Sequence, residues 1–287
     1  MLLFLYGGPG GAVMPWVDLF QPSQLEANFV VVHWDQRGAG KSYDQSLKAE
    51  DLSFDNFVSD TLELTDLLRE RFDQDKIFLS GISWCSAPGF LTLMENSDPF
   101  HAFIATSERV HWQRSQNLGF KWVKERAQEQ NDTPILEAIA AIEPFDASNF
   151  EHLGAKNQGL DRYRGGDFYT AGLADRYFDY ALKGKSPYYT EAKVQNYIPG
   201  LKFSLASVIP QALDYDLFRD YPNSAIPIHF LWGDHDWQTP GELSREYFDA
   251  PAKSYTVIGD AGHSLIYDNP DAWAAALTGI AEETLGN

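Results

Sequence analysis

The sequence predicts an α/β protein: a mostly parallel sheet flanked by helices, with a helical insertion. Three observations predict it. Short apolar, often β-branched runs alternate with amphipathic stretches in both outer parts of the chain, the pattern of strand–helix–strand crossovers. Between about residues 107 and 224 the strand-like runs vanish, and stretches rich in Trp, Tyr, Glu and Lys replace them. Finally, Gly81-Ile82-Ser83 stands where an apolar run stops and a helix-like run begins.

Residues 2–5 (Leu-Leu-Phe-Leu) read as a buried strand running into the tight loop Tyr6-Gly7-Gly8-Pro9-Gly10-Gly11. Residues 29–32 (Phe-Val-Val-Val) read as a second buried strand. The polar loop Asp35-Gln36-Arg37-Gly38-Ala39-Gly40-Lys41-Ser42 follows it. Residues 54–72, with Phe57, Leu62, Leu64, Leu67 and Leu68 among acids, suit an amphipathic helix. Strands are expected at 77–80 and 102–105, with a helix over 87–94 between them. Inside the insertion, 112–128, 134–142 and 174–182 read as helices and 157–169 as loop. Sheet texture returns at 228–232 and 255–258, with helices near 243–248 and over 270–283. The expected organisation is a core of residues 1–106 and 225–287, with 107–224 as a helical cap.

A chain of 287 residues with 44% hydrophobic and 14% aromatic content can fill one large core. A formal charge of −19 disfavours nucleic acid and anionic membrane surfaces as partners. It suits a cationic substrate, although acidic surfaces also simply confer solubility. One cysteine excludes an internal disulfide. Residues 2–5 are too short for a signal-peptide core and follow no basic segment. The reading is cytoplasmic, with no cofactor and no metal.

In an open parallel sheet, functional groups gather beyond the carboxyl ends of strands. Gly8, Ser83, Asp236 and His263 all fall there. Strand, sharp turn with serine at its tip, then helix is the setting in which Gly-x-Ser carries chemistry, and the order Ser, Asp, His suits this kind of sheet. A serine hydroxyl needs a base within hydrogen-bond reach, and His263 is the candidate. Asp236 would hold the imidazole tautomer. The N–H groups of Gly8 and Trp84 would form the oxyanion hole. His33, His101, His111, His152 and His229 have no motif context. His235 reads as a loop residue beside the acid, or as one lining the pocket. Asp35 and Arg37 read as an ion pair bracing their loop. Cys85, just past the tip, reads as a packing residue, with a nucleophile as the lesser alternative.

Gly7-Gly8-Pro9-Gly10, Trp34 to Ser42, Gly81-x-Ser83-Trp84-x-Ser86, Gly233-x-x-Asp236 and Gly262-His263 together resemble the α/β-hydrolase superfamily, in particular its proline iminopeptidase-like branch. The resemblance implies the α/β-hydrolase fold and prefers Asp236 over Asp234, because Asp236 stands three residues after Gly233. Two positions depart from the family pattern: Tyr6 where it has His, and Cys85 where it has Gly. The resemblance implies a serine hydrolase, with peptides bearing a free amino terminus as leading substrates. The alternatives are a small-molecule esterase, amidase or lactonase, and a non-catalytic ligand-binding member of the fold. A substrate ammonium needs carboxylate partners, for which the cap offers Glu108, Glu125, Glu137, Glu143, Asp161, Asp175 and Asp179. A lining of Trp112, Phe120, Trp122 and Tyr177 would instead favour neutral esters. The family's sheet normally begins with two further strands. The 29–32 strand is therefore expected at an open edge, either with natural sequence upstream or with the edge covered in a homo-oligomer.

Overall fold

The computed structural model describes residues 1–21, 23–248 and 252–286. Six strands form one sheet in the order β2-β1-β3-β4-β5-β6: β1 Leu2–Leu5, β2 Val31–Val32, β3 Ile77–Ile82, β4 Phe100–Thr106, β5 Ile228–Gly233 and β6 Ala252–Ile258. Every neighbouring pair is parallel. Alternating side chains divide the core between the two faces, as a period of two requires. Leu2, Phe4, Phe78 and Ile104 pack with Trp273 and Leu277 of helix Pro270–Leu285 on one side. Leu3, Leu5, Leu79 and Phe103 pack with Phe57 and Phe90 on the other.

The helix expected over 54–72 is Phe54–Phe72. It begins where Ser53 Oγ accepts from Asn56 N at 3.2 Å and ends at Asp73 in the left-handed region. Its buried stripe is Phe57, Thr61, Thr65 and Leu68, while Leu67 is exposed. Leu67 therefore lies outside the core face assigned from apolarity alone. The strand expected over 29–32 is shorter, only Val31–Val32, although Leu2 N still reaches Val30 O at 3.0 Å. β2 lies at the sheet edge, and Val30 beside it is exposed.

Between β4 and β5 the chain is helical, over Trp112–Gln130, Thr133–Ala141, Phe150–Arg162, Leu173–Leu182, Glu191–Val194, Tyr197–Ala212 and Leu217–Asp220. The loop expected from residue 157 therefore begins only after Arg162. Asn149 caps that helix, its Oδ1 accepting from Glu151 N at 2.8 Å, and Leu153, Lys156, Gly159 and Leu160 make one buried stripe. The glycine that suggested a loop is a helix-crossing residue: a Cβ on Gly159 would come within 2.2 Å of Val123. Among the described residues no helix is long and apolar enough to cross a membrane.

Candidate active site

β3 ends at Ile82, and Ser83 turns the chain into helix Ser86–Glu95. Ser83 has φ +57°, a left-handed conformation costing about 1–2 kcal/mol for an L-residue. The helix returns so close to the strand that a Cβ on Gly81 would lie 2.7 Å from Ser86 Cα and 2.9 Å from Cys85 O. A side chain at position 81 would thus collide with the turn.

Cys85 is buried, its Sγ 3.2 Å from Gln36 Oε1, and burial pushes its thiol well up. Gln36 Oε1 also accepts from Tyr6 N at 2.9 Å. Cys85→Ala should therefore keep activity and lower stability by about 1–2 kcal/mol, the range for a small buried truncation, as read in a denaturant melt. An inactive Cys85→Ala alongside an active Ser83→Ala would reverse the choice of nucleophile.

The structure brings Ser83, His263 and Asp236 together. His263 Nε2 is 2.6 Å from Ser83 Oγ, and its Nδ1 is 3.0 Å from Asp236 Oδ2. With the Nδ1 proton directed at the carboxylate, Nε2 is left to accept from the serine hydroxyl. The loops bearing Asp236 and His263 meet because β5 ends in glycine: a Cβ on Gly233 would lie 2.2 Å from Gly262 O. Asp236 has no exposed side-chain surface. Thr239, which sequence reasoning missed, holds it: Thr239 N donates to Oδ1 at 2.9 Å, and Thr239 Oγ1 lies 2.7 Å from Oδ2. A threonine three residues beyond the acid was the available signal. Ser107, also missed, donates from Oγ to His263 O at 2.7 Å.

Asp234 points elsewhere, accepting from Ala261 N at 3.1 Å with its side chain partly exposed. His235 stacks on Tyr169, ring centroids 4.1 Å apart. The expected Asp35–Arg37 pair is not formed. Arg37 binds Asp60 at 2.6 Å, whereas Asp35 accepts from Lys41 N and the Tyr189 hydroxyl. The cation reaches Asp60 on helix Phe54–Phe72, and the carboxylate reaches Tyr189 in the helical region. Tyr6, at the departure from the family pattern, is buried with its hydroxyl 2.9 Å from His33 Nδ1. Burial in turn lowers the His33 imidazole to about 4.

Ser83 and His263 open onto a cavity of about 390 Å³ whose lining includes Gly8, Trp16, Asp167, Tyr177 and Tyr197. A second cavity of about 260 Å³ adjoins it, lined by Trp84, Trp112, Leu153 and Ile209 among others. Gly8, Arg109, Asn157, Leu205 and Gln238 border both. Gly8 thus lies at the junction, and Trp84 borders the smaller chamber.

None of the seven carboxylates considered from sequence lines either cavity. Glu108 is buried behind the site, accepts from Tyr215 Oη at 3.3 Å, and is pushed up to about 8 by burial. Asp161 lies outside both chambers, with its carboxyl raised by burial and by neighbouring Asp167. Glu125, Glu137, Glu143, Asp175 and Asp179 are on the outer surface. The carboxylate that does face the chamber, Asp167, lay in the stretch read as loop. Its segment is tied to that of His263: Gly166 O accepts from His263 N at 3.1 Å and Asp167 O from Ser264 N at 2.8 Å. Of the aromatics named, Tyr177 and Trp112 line the chambers, whereas Phe120 and Trp122 pack beside Val123 and Leu160. Among the described residues no group of three or more His, Cys, Asp or Glu side chains is arranged to hold a metal ion.

The family model described as the alpha/beta hydrolase fold matches residues 1–270. The chain is 27% identical over 290 residues to the probable aminopeptidase YbaC of Bacillus subtilis (strain 168), an alignment spanning 99% of this chain and 90% of that protein. Its structure is similar to that of a proline iminopeptidase from Mycobacterium smegmatis, with TM-score 0.68 and 15% identity over 99% of this chain and 89% of the other. It is likewise similar to a proline iminopeptidase-related protein from Thermus thermophilus, with TM-score 0.63 and 22% identity over 99% and 89%. At those identities the structural likeness speaks for the fold alone. The chain belongs to the α/β-hydrolase family.

Proposed function

We propose that the protein is a serine hydrolase acting by acyl transfer to water, and that its substrates are short peptides with a free amino terminus. The observation that carries the chemistry is the continuous hydrogen-bond path from Asp236 through His263 to a positive-φ Ser83 at the floor of a cavity. In this reading His263 takes the Ser83 proton as Oγ attacks the carbonyl carbon. The N–H groups of Gly8 and Trp84 hold the oxyanion, each donor stabilising the transition state by about 3 kcal/mol. His263 then protonates the departing amine, and a water activated by the same imidazole releases the acyl group from Ser83. The helices within 107–224 serve as the cap that closes the chamber.

Asp167 supports the free-amine specificity, since a carboxylate facing the Ser83 chamber is the partner a buried ammonium requires. The name borne by the full-length relative points the same way. An aminoacyl anilide should therefore be cleaved and its N-acetyl form spared. The rate should fall above the substrate amine's own pKa, near ~8. Asp167→Asn should raise KM for the free amine about tenfold, the loss of one hydrogen bond to a charged group, and leave neutral esters unaffected. The second reading, an esterase or amidase acting on neutral acyl compounds, draws on the apolar smaller chamber. Equal rates for the two anilides would decide for it.

A further inference from the structure

Arg109 stands three residues beyond β4, at the border of the two chambers. It is only 8% exposed, and its guanidinium lies 4.8 Å from the Trp112 ring centroid. Nε and Nη1 are buried without a hydrogen-bond partner among the described residues. Asp236, Glu108 and Asp167 act on it through space; Glu108 accepts from the Arg109 backbone N–H, and none of the three is hydrogen-bonded to Nε or Nη1. A guanidinium presents its donors as a planar fork shaped for a carboxylate. Leaving that fork buried and unpaired is costly, so a partner absent from the chain itself is called for.

The surroundings favour an anion there. Lys156 is completely buried, with Nζ 2.5 Å from Gln116 Oε1 and 3.4 Å from Gln238 Oε1. Both glutamines line the smaller chamber. With their carbonyl oxygens committed to Lys156, each keeps its NH2 group as the donor end. At the same border Asn157 Oδ1 is a buried acceptor with no partner. That one acceptor suits the amide N–H preceding a carboxylate. Beyond it the smaller chamber is walled by Trp112, Leu153, Val208 and Ile209. Burial lowers the Lys156 ammonium to about 7, so the positive charge of this recess in a chain of net charge −19 rests on Arg109.

We infer that Arg109 anchors a substrate carboxylate, so that the preferred leaving group is an apolar amino acid with a free α-carboxylate: the substrates are dipeptides. This rests on the hydrolase reading for its chemistry, but the anchor can be read by binding alone. Titration calorimetry of 4-phenylbutyrate and of 4-phenylbutyramide, alike in shape and different in charge, tests it on the whole protein. The acid should bind at least about tenfold more tightly than the amide, as hydrogen bonds to a charged group allow. Arg109→Gln should erase that preference without weakening the amide, and Arg109→Lys should keep part of it. Should Arg109→Gln fail to fold by circular dichroism, the wild-type comparison of acid with amide decides. Equal affinities, or no binding of the acid, overturn the anchor.

In turnover, Pro-Leu should exceed Pro-Leu-NH2 about tenfold in kcat/KM, chiefly through KM, with the gap lost in Arg109→Gln. A preferred acid with no preference for the free dipeptide would refute the leaving-group assignment. Absence of turnover on every acyl probe, with acid binding intact, would refute the hydrolase reading instead and leave the anchor standing.

Discussion

Ser83→Ala and His263→Ala should each bring turnover down by a factor on the order of a million, the loss seen when one member of a nucleophile–base unit is removed. The fold should survive both changes, because Ser83 Oγ and His263 Nε2 meet at a cavity and not in the apolar core. A fluorophosphonate should label wild type at Ser83 and leave Ser83→Ala unlabelled. Far-ultraviolet circular dichroism of the two variants should overlay wild type. Labelling that persists in a folded Ser83→Ala, or full activity in a folded His263→Ala, would remove the acyl-serine mechanism. A wild type that takes up no probe would favour a ligand-binding member of the fold.

Asp236→Asn should lower kcat about 10⁴-fold, because an amide in that place favours the wrong imidazole tautomer while leaving the geometry intact. Asp234→Asn should stay near wild type, since Asp234 accepts from Ala261 N and does not reach His263. The contrast between two carboxylates two residues apart is the measurement to make. Near-normal rates in Asp236→Asn with a dead Asp234→Asn would exchange their roles. Thr239→Val should fall between the two, since it removes the hydroxyl at 2.7 Å from Asp236 Oδ2 and leaves the backbone donor in place.

Much of the frame was legible because local chemistry and tertiary role coincide in it. Residues 2–5 and 77–80 are apolar runs that end in glycine or serine turns, and they are strands of the sheet. Ser53 and Phe72 bound a helix whose cap residue is in plain sight. Ser83, Asp236 and His263 follow strand ends in a fixed order, so their meeting could be anticipated from residue type and position. The helical region was harder to read, because there contacts decide what propensity suggests. Gly159 reads as a loop residue until Val123 is seen against it. Lys156, a charged side chain, is buried against two glutamines. Arg37 skips its neighbour Asp35 for Asp60, a partner 23 residues away. Asp167 and Arg109 carry no motif at all. Only the packing of helices over the strand ends makes them chamber residues.

The hydroxyl of Ser83 and the imidazole of His263 are neighbours across 180 residues of chain. Bringing such distant points together must overcome loop-closure entropy before any contact stabilises the product, and parallel pairings of this kind form slowly. The serine turn is local to β3 and the helix after it, so it can take shape early. His263 can join it only once β5 and β6 have docked. A refolding chain should therefore regain helical ellipticity well before it regains reactivity toward a fluorophosphonate. That lag makes covalent labelling at residue 83 a clock for the last step of assembly.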